Sequence, residues 1–321
     1  MALRQTGVLR WVAVISATLG VLLVPRAARA DPSFYASPLF GIATTPNGGL
    51  FVADAGQGIV DADSGALVAA LPGVNDVAPI GEGEMLAVAT AESSGVWRVS
   101  RGRAQMVADT GAFETEVDPA GDGTDEGSNP FDLARLDGHR TLVADAAGNS
   151  LLVVDQKGSI DWVATFPEQD GAQAVPTSVA IGSDGAYYVG ELTGSPFPTG
   201  VSRVWRVEPG ARHAACGTSP ACSIVVTGRT AIIDLQFGPD GRLYLAQLDD
   251  AGLAAFEDGT GVGGSVHACN VTTGACEEIV AGIPMLTAIA FRGTELWGTT
   301  WSLIPEEAPP PFSADVVPLT P

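Results

Sequence analysis

Carboxylates recur at matched points of this chain. Asp76, Asp132 and Asp234 each open an apolar run (DVAP, DLAR, DLQF), while Asp54, Asp145 and Glu191 each close the run that follows (LFVAD, TLVAD, YYVGE). Carboxylates gathered at one place raise one another's pKa unless protons or a cation compensate. Two chemistries suit such a cluster: a hard cation held through oxygen, for which Ca2+ is the natural ion, and acid–base catalysis by carboxylates alone. A structural use competes with both, because Asp readily accepts backbone N–H bonds at its own turn. Asp76, Asp132 and Asp234 are the candidate metal ligands. All six acids, with Phe197 of GELTGSPFPTG, form the candidate ligand site. Pro196 and Pro198 would hold Phe197 in an extended segment that either offers its ring to a ligand or plugs the neighbouring repeat.

Other chemistries find less support. His139, His213 and His267 fall in a turn, near a loop tip and in a strand, away from the acids, and no G-x-S-x-G is present. Cys216 and Cys222 are six apart, and Cys269 and Cys276 seven apart, each pair across a Gly- or Pro-containing turn. These spacings fit two local disulfides of an exported chain and not a C-x₂₋₄-C zinc site. The acidic stretch with Asp118, Asp122, Asp125 and Glu126 lacks the order of a calcium-binding EF-hand loop and reads as solvated. Trp97-Arg98 and Trp205-Arg206 share a repeat position and read as packing between repeats.

What positions these residues is a repeat. An apolar strand, a tight Gly turn and a second apolar strand appear at 41–54, 76–90, 132–145, 178–191, 234–247 and 288–300. PNG, SDG and PDG are hairpin turns with Gly at the positive-φ position. Starts lie 35 to 56 residues apart, the length of a four-stranded propeller blade. Third strands follow in all six units and outer strands in five. The missing outer strand is supplied by Ser33-Phe34-Tyr35-Ala36, which would complete the last blade and close the ring. The fold class is therefore all-β: a six-bladed β-propeller closed by an N-terminal strand, spanning residues 31–321 as one domain. Loops between second and third strands lengthen along the chain, and the connection at 110–130 is also long. All of these share one face, so the ligand is expected there. With strand starts at Gly41, Asp76, Asp132, Ser178, Asp234 and Ala288, both acid rows should border one mouth of the channel.

The N-terminus addresses the chain for export. Arg4 and Arg10 precede an apolar stretch, Trp11 to Val24, and Ala28-Arg29-Ala30 supplies a cleavage site before Asp31, so residues 1–30 read as a signal peptide. No second apolar run follows, and no membrane insertion is expected after cleavage. The destination is periplasmic or extracellular. A formal net charge of −21, with a single Lys, excludes nucleic acid as a partner and leaves a small molecule, a glycan or a protein.

The run VPTSVAIGSDGAYYVGELTGSPFPTGVSRVWRV (175–207) resembles ScyD/ScyE family proteins, named for two products of a pigment gene cluster. SNPFDLARLDGHRTLVADAAGNSLLVVD (128–155) and IIDLQFGPDGRLYLAQL (232–248) resemble the flanking blades. That resemblance covers most of residues 41–300 and implies an exported six-bladed propeller of the NHL or TolB-like type, with no established reaction. Similarity to the lactonase propellers is weaker. Their metal ligands lie near the strand starts, where this chain has Phe40, Asn75, Phe131, Thr177, Ile233 and Thr287, and only Asn75 suits a metal. The expectation is a binding or scaffolding propeller. The alternative is a divalent-cation-dependent hydrolase or lyase using the carboxylates.

Overall fold

A computed structural model describes residues 34–81, 83–90, 93–121, 123, 127–304 and 313–319. The expected signal peptide (residues 1–30), Ser33, Asp122, Asp125 and Glu126 lie outside the described residues. Strands β1–β4 (Leu39–Thr44, Leu50–Asp54, Gly58–Asp61, Leu67–Ala70) make the first blade, and β5–β8 (Val74–Gly81, Glu84–Thr90, Ser94–Ser100, Arg103–Asp109) the second. Helix α1 (Thr110–Val117) leads to β9–β12 (Pro130–Arg135, Arg140–Asp145, Ser150–Asp155, Ile160–Thr165). The fourth blade is β13–β15 (Pro176–Ile181, Tyr187–Glu191, Ser202–Val207) with β17 (Cys222–Arg229), and the short β16 (Ala214–Ala215) leaves it to join β12. In the fifth, β18 and β19 (Ile232–Phe237, Leu243–Gln247) precede helix α2 (Leu253–Asp258), then β20 and β21 (Gly264–Cys269, Cys276–Ile283). The last blade is β22–β24 (Ile289–Arg292, Glu295–Thr300, Asp315–Pro318). Every blade is an antiparallel meander, and the six together form the propeller expected from the repeat.

Local chemistry explains the blades. The expected turn glycines Gly48, Gly185 and Gly241 take φ of 83°, 77° and 79°, which a hairpin needs and side-chained residues resist. Apolar residues of adjacent blades then merge into shared clusters. Leu142, Val163 and Phe166 of blade three, for example, pack with Tyr187, Val189 and Trp205 of blade four. Trp205 is buried in that cluster, as packing between repeats requires.

Closure is achieved in a different form from the one expected. The last sheet has three strands, and Phe34–Ala36 carry no strand. Ser37, at φ 59°, turns the chain sharply ahead of Pro38, so the segment does not stay extended. It still occupies the outer position of blade six. Gly158, in the turn before an outer strand, approaches the preceding blade so closely that a Cβ would lie 2.2 Å from Val107 O of β8. Gly65 holds the same turn in blade one, and there its Cβ would meet the Phe34 ring at 2.6 Å. Tyr35 is buried against Ala314 and Val316, Leu39 N–H donates to Ser302 O (2.9 Å), and Ser37 Oγ donates to Ile304 O (2.6 Å).

Both disulfides form, Cys216–Cys222 and Cys269–Cys276. Each closes a turn that reaches back onto the preceding blade. Ala214 and Ala215 pair in parallel with Ala164 and Thr165 of β12, and Gly274 comes so close to β17 that a Cβ there would lie 2.9 Å from Val225 O.

Candidate functional site

The innermost strands enclose a channel of about 300 Å³, and Asp76, Asp132 and Asp234 line it. What aims them there is a bulge that opens the inner strand in each of the first five blades, between Leu39 and Gly41, Val74 and Asp76, Pro130 and Asp132, Pro176 and Ser178, and Ile232 and Asp234. One extra residue on the bulged strand lets two neighbours, such as Asn75 and Asp76, address the channel together.

These acids stitch blades to one another. Asp132 accepts from its own Leu133 N–H (2.6 Å) and from Val179 N–H of the next blade (2.6 Å). Asp234 does the same with Leu235 (2.7 Å) and Ile289 (2.7 Å), and Asp76 takes a longer bond from Leu133 N–H (3.3 Å). The bulge residues alternate with them: Asn75 donates to Pro130 O (2.9 Å), Thr177 to Ile232 O (2.8 Å) and Thr287, at the equivalent position of blade six, to Leu39 O (2.7 Å). Between blades one and two Gly41 stands in the Asp position, and the Asp76 carboxylate fills the space a Cβ would take, 2.2 Å away.

Protonation follows from this crowding. Burial, the neighbouring Asp132 and then Asp234 hold the Asp76 carboxyl well above the usual range. Burial and Asp132 do the same to Asp234. Asp132 is also raised by burial, but the hydrogen bond from Asp76 and two backbone N–H groups pull it back. Asp76 and Asp132 are coupled, and they titrate as a pair. Among the described residues, no group of three or more His, Cys, Asp or Glu side chains is arranged to hold a metal ion. At the loop-rich end, the Phe40 and Phe131 rings meet edge to face, 5.4 Å between centroids. They lie one position nearer the long loops than the Asp row and narrow the mouth.

The second acid row does not border the channel, a correction to the sequence reading. Its side chains close strands one step further from the axis and turn into the loop layer. Asp54 is fully buried and accepts from Ala36 N–H (2.7 Å), Gly56 N–H (2.9 Å) and Gln57 Nε2 (2.7 Å). Asp145 accepts from Ser128 Oγ (2.5 Å), Asn129 N–H (2.8 Å) and Gly148 N–H (3.1 Å), tying the long 110–130 connection to blade three. Burial raises its pKa against those three bonds. Glu191 accepts from Arg203 Nε (2.6 Å), Arg203 Nη2 (2.8 Å) and Trp205 Nε1 (2.5 Å). Burial pushes Glu191 up while Arg203 and the indole oppose it. Arg203, absent from the sequence reading, was signalled by SRVWR, where residues 203 and 205 share one strand face.

Phe197 is half-buried, takes φ 58°, and donates its N–H to Gly194 O (2.8 Å). It is therefore in a turn, not extended. Its ring packs on the cluster of Leu248, Leu253 and Leu286 in blades five and six, so the plug, not the open platform, is what forms. The loop's end is anchored by Gly200 N–H to Thr230 Oγ1 (3.0 Å). A further polar chain escaped the sequence reading. Gln247 Oε1 accepts from Thr230 N–H (3.1 Å), Gln247 Nε2 and Ser265 Oγ converge on Asp250 Oδ1, and Ser265 Oγ meets His267 Nε2 (3.0 Å). The alternation Ser265–His267 and the acid pair at 249–250 were its only signals. Ser265 is fully buried. Asp118 of the acidic stretch bonds Gly121 N–H (3.0 Å) and Gly123 N–H (3.3 Å).

No family model matches the chain, and no curated protein matches it in sequence. Solved structures sharing its fold include virginiamycin B lyase from Staphylococcus aureus, 15% identical with a TM-score of 0.53, over 88% of this chain and 85% of that one. The PQQ-bound aldose sugar dehydrogenase of Streptomyces coelicolor is 13% identical, TM-score 0.56, over 89% and 95%. The extracellular domain of a putative one-component system from Bacteroides thetaiotaomicron is 10% identical, TM-score 0.51, over 87% of this chain and 32% of that one. At such identities the likeness is one of fold.

Proposed function

We propose that this chain is an exported, non-catalytic binding propeller that takes a small molecule, glycan or protein on the face bearing the long loops. One observation carries the reading: the acids beneath that face are spent on holding its loops. Asp54 fixes the entry segment, Asp145 the 110–130 connection, and Glu191 the third strand behind the 190–200 loop. Helices α1 and α2 and the Phe197 plug stiffen the same face, and a rigid surface loses little entropy on binding. The resemblance to ScyD/ScyE family proteins belongs to this reading and assigns no reaction. Two disulfides support export, and among the described residues no helix is long and apolar enough to cross a membrane.

The fold is shared with a lyase whose His-to-Ala variant is catalytically inactive and was solved with quinupristin. Incubation of this protein with quinupristin, and with lactone and glycoside panels, should give no single-turnover conversion. Conversion abolished by Asp132→Asn would overturn the proposal. On a glycan array, any hit should be lost in Val262→Glu, since Val262 is 60% exposed beside helix α2. The competing reading, a divalent-cation-dependent hydrolase or lyase, draws on Asp76, Asp132 and Asp234 sharing one channel. Calorimetric titration with Ca2+ separates the two: saturable heat with a raised melting temperature favours the cation.

A further inference from the structure

On the face of the tight turns, opposite the long loops, a second cavity of about 170 Å³ lies between blades three and four. Leu136, Val163, Trp162 and Tyr187 supply apolar wall, and Arg140 and Arg212 are among the residues that line it. The turn closed by Cys216–Cys222 builds one side. Ala214 and Ala215 pair with β12, and His213 stacks on Trp162 with 4.5 Å between ring centroids at 21°. Asp161 accepts from Arg212 and contacts His213 Nε2 (2.7 Å), while Asp137 accepts from Arg140 Nε (2.9 Å). Each guanidinium has five N–H donors in a fixed fork, so neither is exhausted by its aspartate. Tyr187 Oη accepts from Gly210 N–H (3.2 Å), which leaves its own O–H to donate.

We propose that this cavity binds a small monocarboxylate with an apolar body, its oxygens shared by Arg140 and Arg212 and its body against Trp162, Tyr187, Leu136 and Val163. Size sets the first limit, because drug-sized ligands occupy roughly 300–1,000 Å³. Charge sets the second. Two aspartates offset the two arginines, so the cavity favours one negative charge over two, and geometry specific to a carboxylate comes from the guanidinium fork. A stapled, sheet-paired wall holds the arginine-bearing turn in place before the ligand arrives.

Benzoate is the probe and benzyl alcohol its neutral counterpart, both titrated into the purified protein by NMR with the Trp162 indole N–H as reporter. Benzoate should give saturable shifts, and benzyl alcohol should bind at least about tenfold more weakly, the value of a charge-assisted hydrogen bond. Arg140→Gln combined with Arg212→Gln should cost benzoate at least about tenfold while leaving the melting temperature unchanged, because both ion pairs are largely exposed. No saturable shift, equal binding of the two probes, or unchanged benzoate binding in the double variant would each overturn the proposal. The cavity faces away from the long loops, so its failure and that of the proposed function are independent.

Discussion

Glu191→Gln tests whether the second acid row is structural. Glu191 is fully buried and Arg203 is 7% exposed, so neither charge can fall back on water. The carboxylate accepts both Arg203 bonds and the Trp205 indole bond, and Arg203 Nη2 has a further acceptor in Pro167 O (3.2 Å). Gln presents one acceptor oxygen and an NH2 group, so at least one of the three donors faces another donor. The guanidinium is left buried without its counter-charge. Breaking a buried pair in this way costs about 3–5 kcal/mol. Removing both charges with Glu191→Met and Arg203→Leu should restore much of that loss, because packed apolar groups avoid the cost of desolvating the two charges, and what remains is the Trp205 indole N–H left without its acceptor. Urea unfolding at pH 7 of the native protein, Glu191→Met, Arg203→Leu and the double variant, compared at constant m, gives a coupling energy expected near 3 kcal/mol. A Glu191→Gln cost below about 1 kcal/mol, typical of exposed pairs, or additive single effects, would refute the reasoning.

The channel acids predict a pH dependence of known sign. Asp76 and Asp234 have folded-state pKa values above their unfolded ones, so the folded state binds more protons in that interval and stability falls as pH rises through it, by up to about 1.4 kcal/mol per pH unit per proton. Urea midpoints from pH 4.5 upward should decline in the native protein and decline less steeply in Asp76→Asn/Asp234→Asn, where Asp132, Asp145 and Glu191 remain; a parallel decline in both would count against it. Gly41→Ala places a Cβ 2.2 Å from Asp76 Oδ1 and 2.8 Å from Asn75 O, and thermal unfolding should show a loss of about 1–3 kcal/mol. Cys216→Ser/Cys222→Ser should cost about 2 kcal/mol by loop closure. In that variant, amide exchange should quicken first at Ala215 and Cys216, whose turn spans two blades; a uniform acceleration across the ring would contradict that placement.

Blades were legible because their signals are local: a Gly turn and two alternating strands declare a hairpin within about a dozen residues. The disulfide pairs were legible for the same reason. The acids were found at the right positions but assigned a shared destination that only some of them have. Direction at a strand end depends on the bulge before Asp76, Asp132 and Asp234, and nothing in DLAR or DLQF marks that extra residue. Phe40 and Phe131 belong to blades separated by a third, so their meeting over the channel has no counterpart in sequence spacing. Arg203 faces Glu191 across a strand pair joined by a ten-residue loop, and the plug by Phe197 depends on apolar residues of blades five and six. These contacts share one property: each links a repeat to what lies outside it. The repeat fixes where a carboxylate stands, and the non-repeating loops decide what it is used for. Here they use three of the six to hold themselves down, and under the proposed function the ligand would meet the loop surfaces those acids hold in place, where no repeat constrains the residues.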